Sequence, residues 1–186
     1  MHWQGLSRLY SALLLLALAA CSAPVIEQPD GTERLTRAIL ALDPSVDPGE
    51  AARAADLSYA HARHLSIAYE ITDPPLVHNT KVNMGLKPRG LCWHWAEDME
   101  TRLVAANFRT LDIHRAIANA DNPFRIDHST ALISARGQPM NRGIVLDPWR
   151  NGGRLFWSTV EDDHRYDWQP QQKVLADKYP LTPITD

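Results

Sequence analysis

The chain has no long apolar run, no excess of basic residues, no internal repeat and only two cysteines in 186 residues. Each shortage excludes something. The uncharged apolar stretch from Leu13 to Ala20 is too short to span a bilayer, which takes about 20 such residues. With 19 basic against 22 acidic residues and a net charge of −3, the chain has no electrostatic footprint for nucleic acid. Without repeats or low-complexity tracts it is no solenoid. Two cysteines allow at most one disulfide, not a disulfide framework.

What the short run does resemble is the h-region of an export signal, preceded by a single Arg8 and ending in small residues. Leu18-Ala19-Ala20-Cys21 resembles a bacterial lipobox, which implies acylation of Cys21 as residue 1 of the mature chain. The alternative is an ordinary cleaved signal followed by a cysteine. Ser22, not Asp, follows, which under enterobacterial-type sorting points to the outer membrane. The expected arrangement is a signal peptide over 1–20, a polar tether over 21–31 and one domain over 32–186. Removing residues 1–20 takes Arg8 and no acid, so 18 basic and 22 acidic residues remain, a net charge of −4. The remaining length suits one domain with a proper core. Acylating Cys21 also leaves Cys92 without an intrachain partner. A lone thiol in an exported protein is buried, intermolecular or reactive.

The first half reads as helix. Thr32 can cap a helix with Leu35, Ala38, Ile39 and Leu42 on one stripe, stopped at Asp43-Pro44. Asp47-Pro48-Gly49-Glu50 reads as an N-cap, a proline at the first helical position and an early acid, opening a helix expected to reach Ile71. Residues 76–91, with Gly85, Pro88 and Gly90, are expected to be irregular. From Cys92 onward Trp95, Ala96, Met99, Leu103 and Ala106 recur at steps of three and four, putting Cys92 at the head of a buried stripe. After Asn107 short β-rich runs follow at 110–117, 126–135, 143–146 and 154–157, separated by turn residues. Helices first and strands after predict an α+β fold, with N-terminal helices and the Cys92 helix packed on a small antiparallel sheet.

Cys92 is therefore either a packed core cysteine or a nucleophile at a helix N-terminus, where free N–H groups favour a thiolate and can hold an oxyanion. A nucleophilic thiol needs a base and a group to orient it. His128 lies mid-strand in RIDHSTALI and Asp147 closes the next strand in IVLDPW. A hairpin centred between Gly137 and Gln138 sets the two side by side; a turn centred later makes the pair diagonal, two residues out of register. His94 and His78 are rival bases. His61 and His64, one helical turn apart, read as a packed face in the absence of a third metal ligand.

Gly90, Cys92, Trp93, Trp95 and Ala96 resemble the G-Q-C-W-V-F-A box around the transglutaminase nucleophile. The order Cys92, His128, Asp147 and the similarity of LDPW to the family's aspartate segment point the same way, over about residues 90–150. The resemblance implies a transglutaminase-like (papain-like) fold and a Cys92-His128-Asp147 triad. It further implies a thioester route to hydrolysis or acyl transfer at amide bonds of peptides or proteins in the cell envelope, with no cofactor and no metal. Departures are Thr130 where the family has tryptophan two residues after its histidine, Leu91 in place of glutamine, and no tryptophan upstream of Cys92 in the mature chain. Asn79 and Asn83 become the candidates for a side-chain oxyanion donor, and Trp93 and Trp149 the candidates for lining the substrate. Two other readings stand beside this one. One is a non-catalytic lipoprotein using the same fold to bind an envelope partner. The other is a cell-wall amidase or peptidase of the NlpC/P60 type, whose nucleophile box is absent.

Overall fold

The structure, a computed structural model, describes residues 30–179. The lipobox, Cys21 and nearly all of the expected tether lie outside the described residues. The described chain is α+β, as the order of the sequence patterns predicts. Five helices are α1 (Asp30–Leu40), α2 (Pro48–Ala68), α3 (Pro75–Asn83), α4 (Cys92–Val104) and α5 (Gln171–Lys178). Five strands are β1 (Leu111–Ala118), β2 (His128–Ala135), β3 (Ile144–Asn151), β4 (Arg154–Thr159) and β5 (Gln169–Pro170). They form one sheet in the order β4-β3-β2-β1-β5, every pair antiparallel. Among the described residues no helix is long and apolar enough to cross a membrane.

The start of α2 follows from four residues. Pro48 is pre-set for the first turn, and the Asp47 carboxylate accepts the Glu50 N–H at 2.9 Å. The Glu50 carboxylate is buried, accepting the N–H groups of Arg109 and Thr110 and the Thr110 hydroxyl. These bonds outweigh the cost of burial and hold Glu50 below the ordinary carboxylate range. They also tie the head of α2 to the head of β1. Helix α2 stops at Ala68, three residues short of the expected end, because Glu70 takes a left-handed backbone (φ 53°).

One face of the sheet is covered by helices. Leu35 and Ile39 of α1, the alanines Ala51, Ala54, Ala55 and Ala62 of α2, and Met99 and Leu103 of α4 pack on Ala131, Ile133, Ile144 and Leu146. Small side chains on α2 let α1 and α4 approach closely. The opposite face carries Ala116, Ala118, Leu132 and Val145, closed by Met140 and by Tyr166 and Trp168 from the segment after β4. Strand β2, central and covered on both sides, is buried along its whole length.

One expectation changes, and one open alternative is decided. The stretch expected to be irregular contains helix α3, with Pro75 in its first turn. Only His78 of that helix is buried, so it presents no apolar stripe for a periodicity to reveal. The breakers Gly85, Pro88 and Gly90 all lie beyond its end. In the β2–β3 hairpin the register is Ala131 with Leu146, Leu132 with Val145 and Ile133 with Ile144. A one-turn 3₁₀ helix, Met140–Arg142, occupies the connection and moves its centre toward the C-terminus. Extending that register sets Asp147 opposite Thr130, so His128 and Asp147 are diagonal.

Candidate functional site

Cys92 is the first residue of α4, and its side-chain position is fixed by the backbone before it. Gly90 has φ 124°, and a Cβ there would collide with His78 Nε2, so the position requires glycine twice over. His78 is buried and its Nε2 bonds the Arg89 carbonyl at 2.9 Å. The Trp95 indole donates to the Gly90 carbonyl at 3.0 Å. His94 Nδ1 accepts the N–H groups of Gly90 and Leu91, at 3.1 and 3.2 Å. Those bonds require an unprotonated Nδ1, and burial, with the Arg89 charge, lowers the His94 pKa. His94 is thus a cap on the loop before Cys92, and His78 a spacer beneath it. Neither is placed as the base.

The third histidine is different. His128, 2% exposed at the head of β2, donates from Nε2 to the Asp147 carboxylate at 2.6 Å, a buried charge-assisted contact. Its other nitrogen, Nδ1, is buried without a hydrogen-bond partner. The Cys92 sulfur lies close enough to act on the ring's charge. With Nε2 committed to Asp147, Nδ1 is the nitrogen left to exchange a proton with the thiol. Burial alone would push the ring toward neutrality, but the Asp147 charge and hydrogen bond, with a contribution from Cys92, raise it to about 9. The ring is enclosed by Trp149 and Tyr166, each at 4.6 Å between centroids, and by Trp168 at 5.4 Å.

Asp147 is 1% exposed. Burial opposes its charge, yet His128 and Arg150 together hold it below the ordinary carboxylate range. Cys92, 8% exposed, directs its thiol at the Asp127 carbonyl, 3.6 Å away. Beside it opens a cleft of about 620 Å³ lined by residues that include Trp93, Glu100, Arg115, His128 and Leu175. Its wall on the C-terminal side comes from α5, whose Lys178 pairs with the Asp127 carboxylate at 2.5 Å.

The chain matches no family model, no curated protein and no solved structure. The chemistry must be read from the side chains themselves.

The structure brings Cys92, His128 and Asp147 together, and Trp93 lines their cleft. Trp149 does not line it: its ring packs on His128 and its indole donates to Asn79 Oδ1 at 3.1 Å. That bond fixes the Asn79 amide behind the His128 ring, and Asn79, like Trp149, does not line the cleft. Asn83 is solvent-exposed at the end of α3 and is not part of the cleft. His61 and His64 stack at 5.8 Å, with His61 Nε2 on the Asp98 carbonyl; His61 is half-buried and His64 exposed, so the pair is not the packed face expected. Among the described residues no group of three or more His, Cys, Asp or Glu side chains is placed to hold a metal ion. Sequence reasoning missed Arg150, Asp163 and Trp168 behind the histidine, and the α5 wall. Arg150, three residues past Asp147, was the one visible signal.

Proposed function

We propose that the chain is a lipid-anchored cysteine enzyme of the bacterial envelope, transglutaminase-like (papain-like) in fold, which cleaves or transfers acyl groups at amide bonds of peptides or proteins. The observation that carries this reading is the buried His128 ring, bonded through Nε2 to Asp147 and free at Nδ1 beside a helix-terminal thiol. His78 also buries an unpartnered Nδ1, but the free nitrogen of His128 lies beside a cysteine at the floor of a cleft.

In this mechanism the Cys92 proton passes to His128 Nδ1 before the attack, and the sulfur adds to the substrate carbonyl carbon as a thiolate beside the imidazolium. The resulting oxyanion is met by N–H groups at the start of α4. The C–N bond then breaks, the leaving amine takes the proton from Nδ1, and a Cys92 thioester remains. Water or a second amine, deprotonated by His128, attacks the thioester carbonyl. The acyl group leaves as an acid or a new amide, and the proton returns to the sulfur. Asp147 holds the ring in the tautomer that leaves Nδ1 facing the sulfur and stabilises the imidazolium. Membrane attachment through Cys21 would confine this chemistry to envelope substrates, and the outer membrane is the expected address.

A second reading, a non-catalytic lipoprotein that binds a partner, draws on one observation. The thiol is nearly buried and its proton is engaged by the Asp127 carbonyl. A cysteine-directed acyl probe, such as a peptidyl acyloxymethyl ketone, separates the two. The enzyme reading expects stoichiometric capture of folded protein at Cys92, abolished in Cys92→Ala and His128→Ala. A folded protein inert to such probes, and to amide and ester substrates, is a binder.

A further inference from the structure

Behind the His128–Asp147 pair lies a charged chain that the proposed reaction does not by itself require. Arg150 is 7% exposed in its side chain and donates from Nε to Asp147 Oδ2 at 3.0 Å, the same oxygen that accepts from His128 Nε2. Its backbone N–H donates to the other oxygen, Oδ1, at 3.1 Å. Its two terminal nitrogens grip Asp163 at 2.9 and 2.7 Å, and Asp163 also accepts from the Trp168 indole at 3.0 Å. Trp168 in turn packs on the His128 ring. Both carboxylates are nearly inaccessible, so every charge in the chain is matched by a neighbour of opposite sign.

We propose that Arg150, braced by Asp163, is the positioning residue of the site: it holds the Asp147 carboxylate ionised and fixed in rotation, and so decides how strongly Asp147 can draw positive charge onto His128. This rests on the reading of His128 as the base, but concerns a measurable property of the ring. The geometry supports it on three counts. A carboxylate gripped at both oxygens by one residue cannot turn its Oδ2 away from the imidazole. A guanidinium stays charged at every relevant pH, so the carboxylate never lacks a cation. A cation sharing Oδ2 with the imidazole also competes with it, keeping the ring from becoming so basic that it could not release its proton to a leaving amine.

Other charged or titratable groups also face the ring or its neighbours. Cys92 approaches from α4. Asp163 and Tyr166 approach from the segment after β4, with the Arg125 and Arg165 guanidiniums at 5.2 and 5.5 Å over the Tyr166 ring. The Asp127 carboxylate next door is paired with Lys178. No contact of these groups reaches the oxygen that His128 uses, whereas Arg150 bonds it directly.

The test is an NMR titration of the His128 ring in the full chain, alongside the pH profile of Cys92 alkylation. Arg150→Met with Asp163→Asn removes the buried pair without leaving a lone charge, and Arg150→Lys keeps a charge but not the three-way grip. With the competitor gone, Asp147 acts on His128 alone, and the titration midpoint should rise by about one pH unit. Arg150→Lys should fall between parent and double variant. The alkaline limb of the alkylation profile should move with the ring. A midpoint unchanged or lowered in the folded double variant overturns the proposal; if that variant does not fold, a midpoint unchanged or lowered in Arg150→Lys overturns it. The ring titrates whether or not the protein is an enzyme. A shifted midpoint with an inert Cys92 would therefore refute the enzyme reading and leave the positioning role standing.

Discussion

Replacing Asp147 with asparagine removes one charge and almost no volume, and the structure sets the size of the effect. The carboxylate uses both oxygens as acceptors: Oδ2 receives His128 Nε2 and Arg150 Nε, and Oδ1 receives the Arg150 N–H. An amide supplies one acceptor oxygen and one NH₂, so whichever way it turns, a donor meets a donor. The electrostatic loss is larger. His128 is raised from 6.5 to about 9 against the opposing cost of burial, with Asp147 the principal cause. That gap favours the imidazolium by about 3 kcal/mol. Without the carboxylate, the buried ring falls to the neutral side. A thiolate–imidazolium pair would then lose about 100-fold in population. The assay is iodoacetamide alkylation at pH 6.5, quantified on the Cys92 peptide so that Cys21 does not contribute. Asp147→Asn should slow it about 100-fold, with near-UV circular dichroism showing the packing around Trp149 retained. A rate within about threefold of the parent in a folded variant would refute the triad reasoning. Accelerated labelling equal to that of denatured protein would instead mean that the site had opened.

Stability should depend on pH through the same ring. Because the folded-state value is raised above 6.5, its contribution is complete below about pH 6.5 and is lost as pH rises through about 9. Urea midpoints should fall between pH 7 and 9.5 in the parent, with a shallower fall in Asp147→Asn. Gly90→Ala forces a side chain into the left-handed region and against His78, and should cost about 2–4 kcal/mol. Gly85→Ala, at φ 74° in open space, isolates the backbone part and should cost about 1 kcal/mol; equal losses of thermal stability in the two would contradict the His78 contact. Cys21→Ala should release the protein from the membrane fraction or leave it unprocessed. A variant that still fractionates with membranes at normal size would remove the lipid anchor from the proposal.

The sequence determined what is local or periodic. The stripe from Cys92 to Leu103 fixed α4 and its buried face, because a 3.6-residue repeat can bury one side only as a helix. Asp47-Pro48-Gly49-Glu50 fixed the start of α2 through its own side chains. The order of helices before strands fixed the α+β class, and the chain order of Cys92, His128 and Asp147 singled out the residues that meet. What sequence spacing left open were relations across the fold. Helix α3 buries one histidine and has no stripe to read. The β2–β3 register was set by a 3₁₀ turn that symmetry about Gly137 did not reveal, and it made His128 and Asp147 diagonal. Choosing among His78, His94 and His128 required seeing which ring lies beside the Cys92 sulfur. Arg150 reaches Asp147 from three residues away. Asp163, Tyr166, Trp168 and Leu175 come to the site only because the segment after β4 crosses the sheet to pair β5 with β1. Such contacts depend on the path of the chain, and no pattern within one segment encodes them.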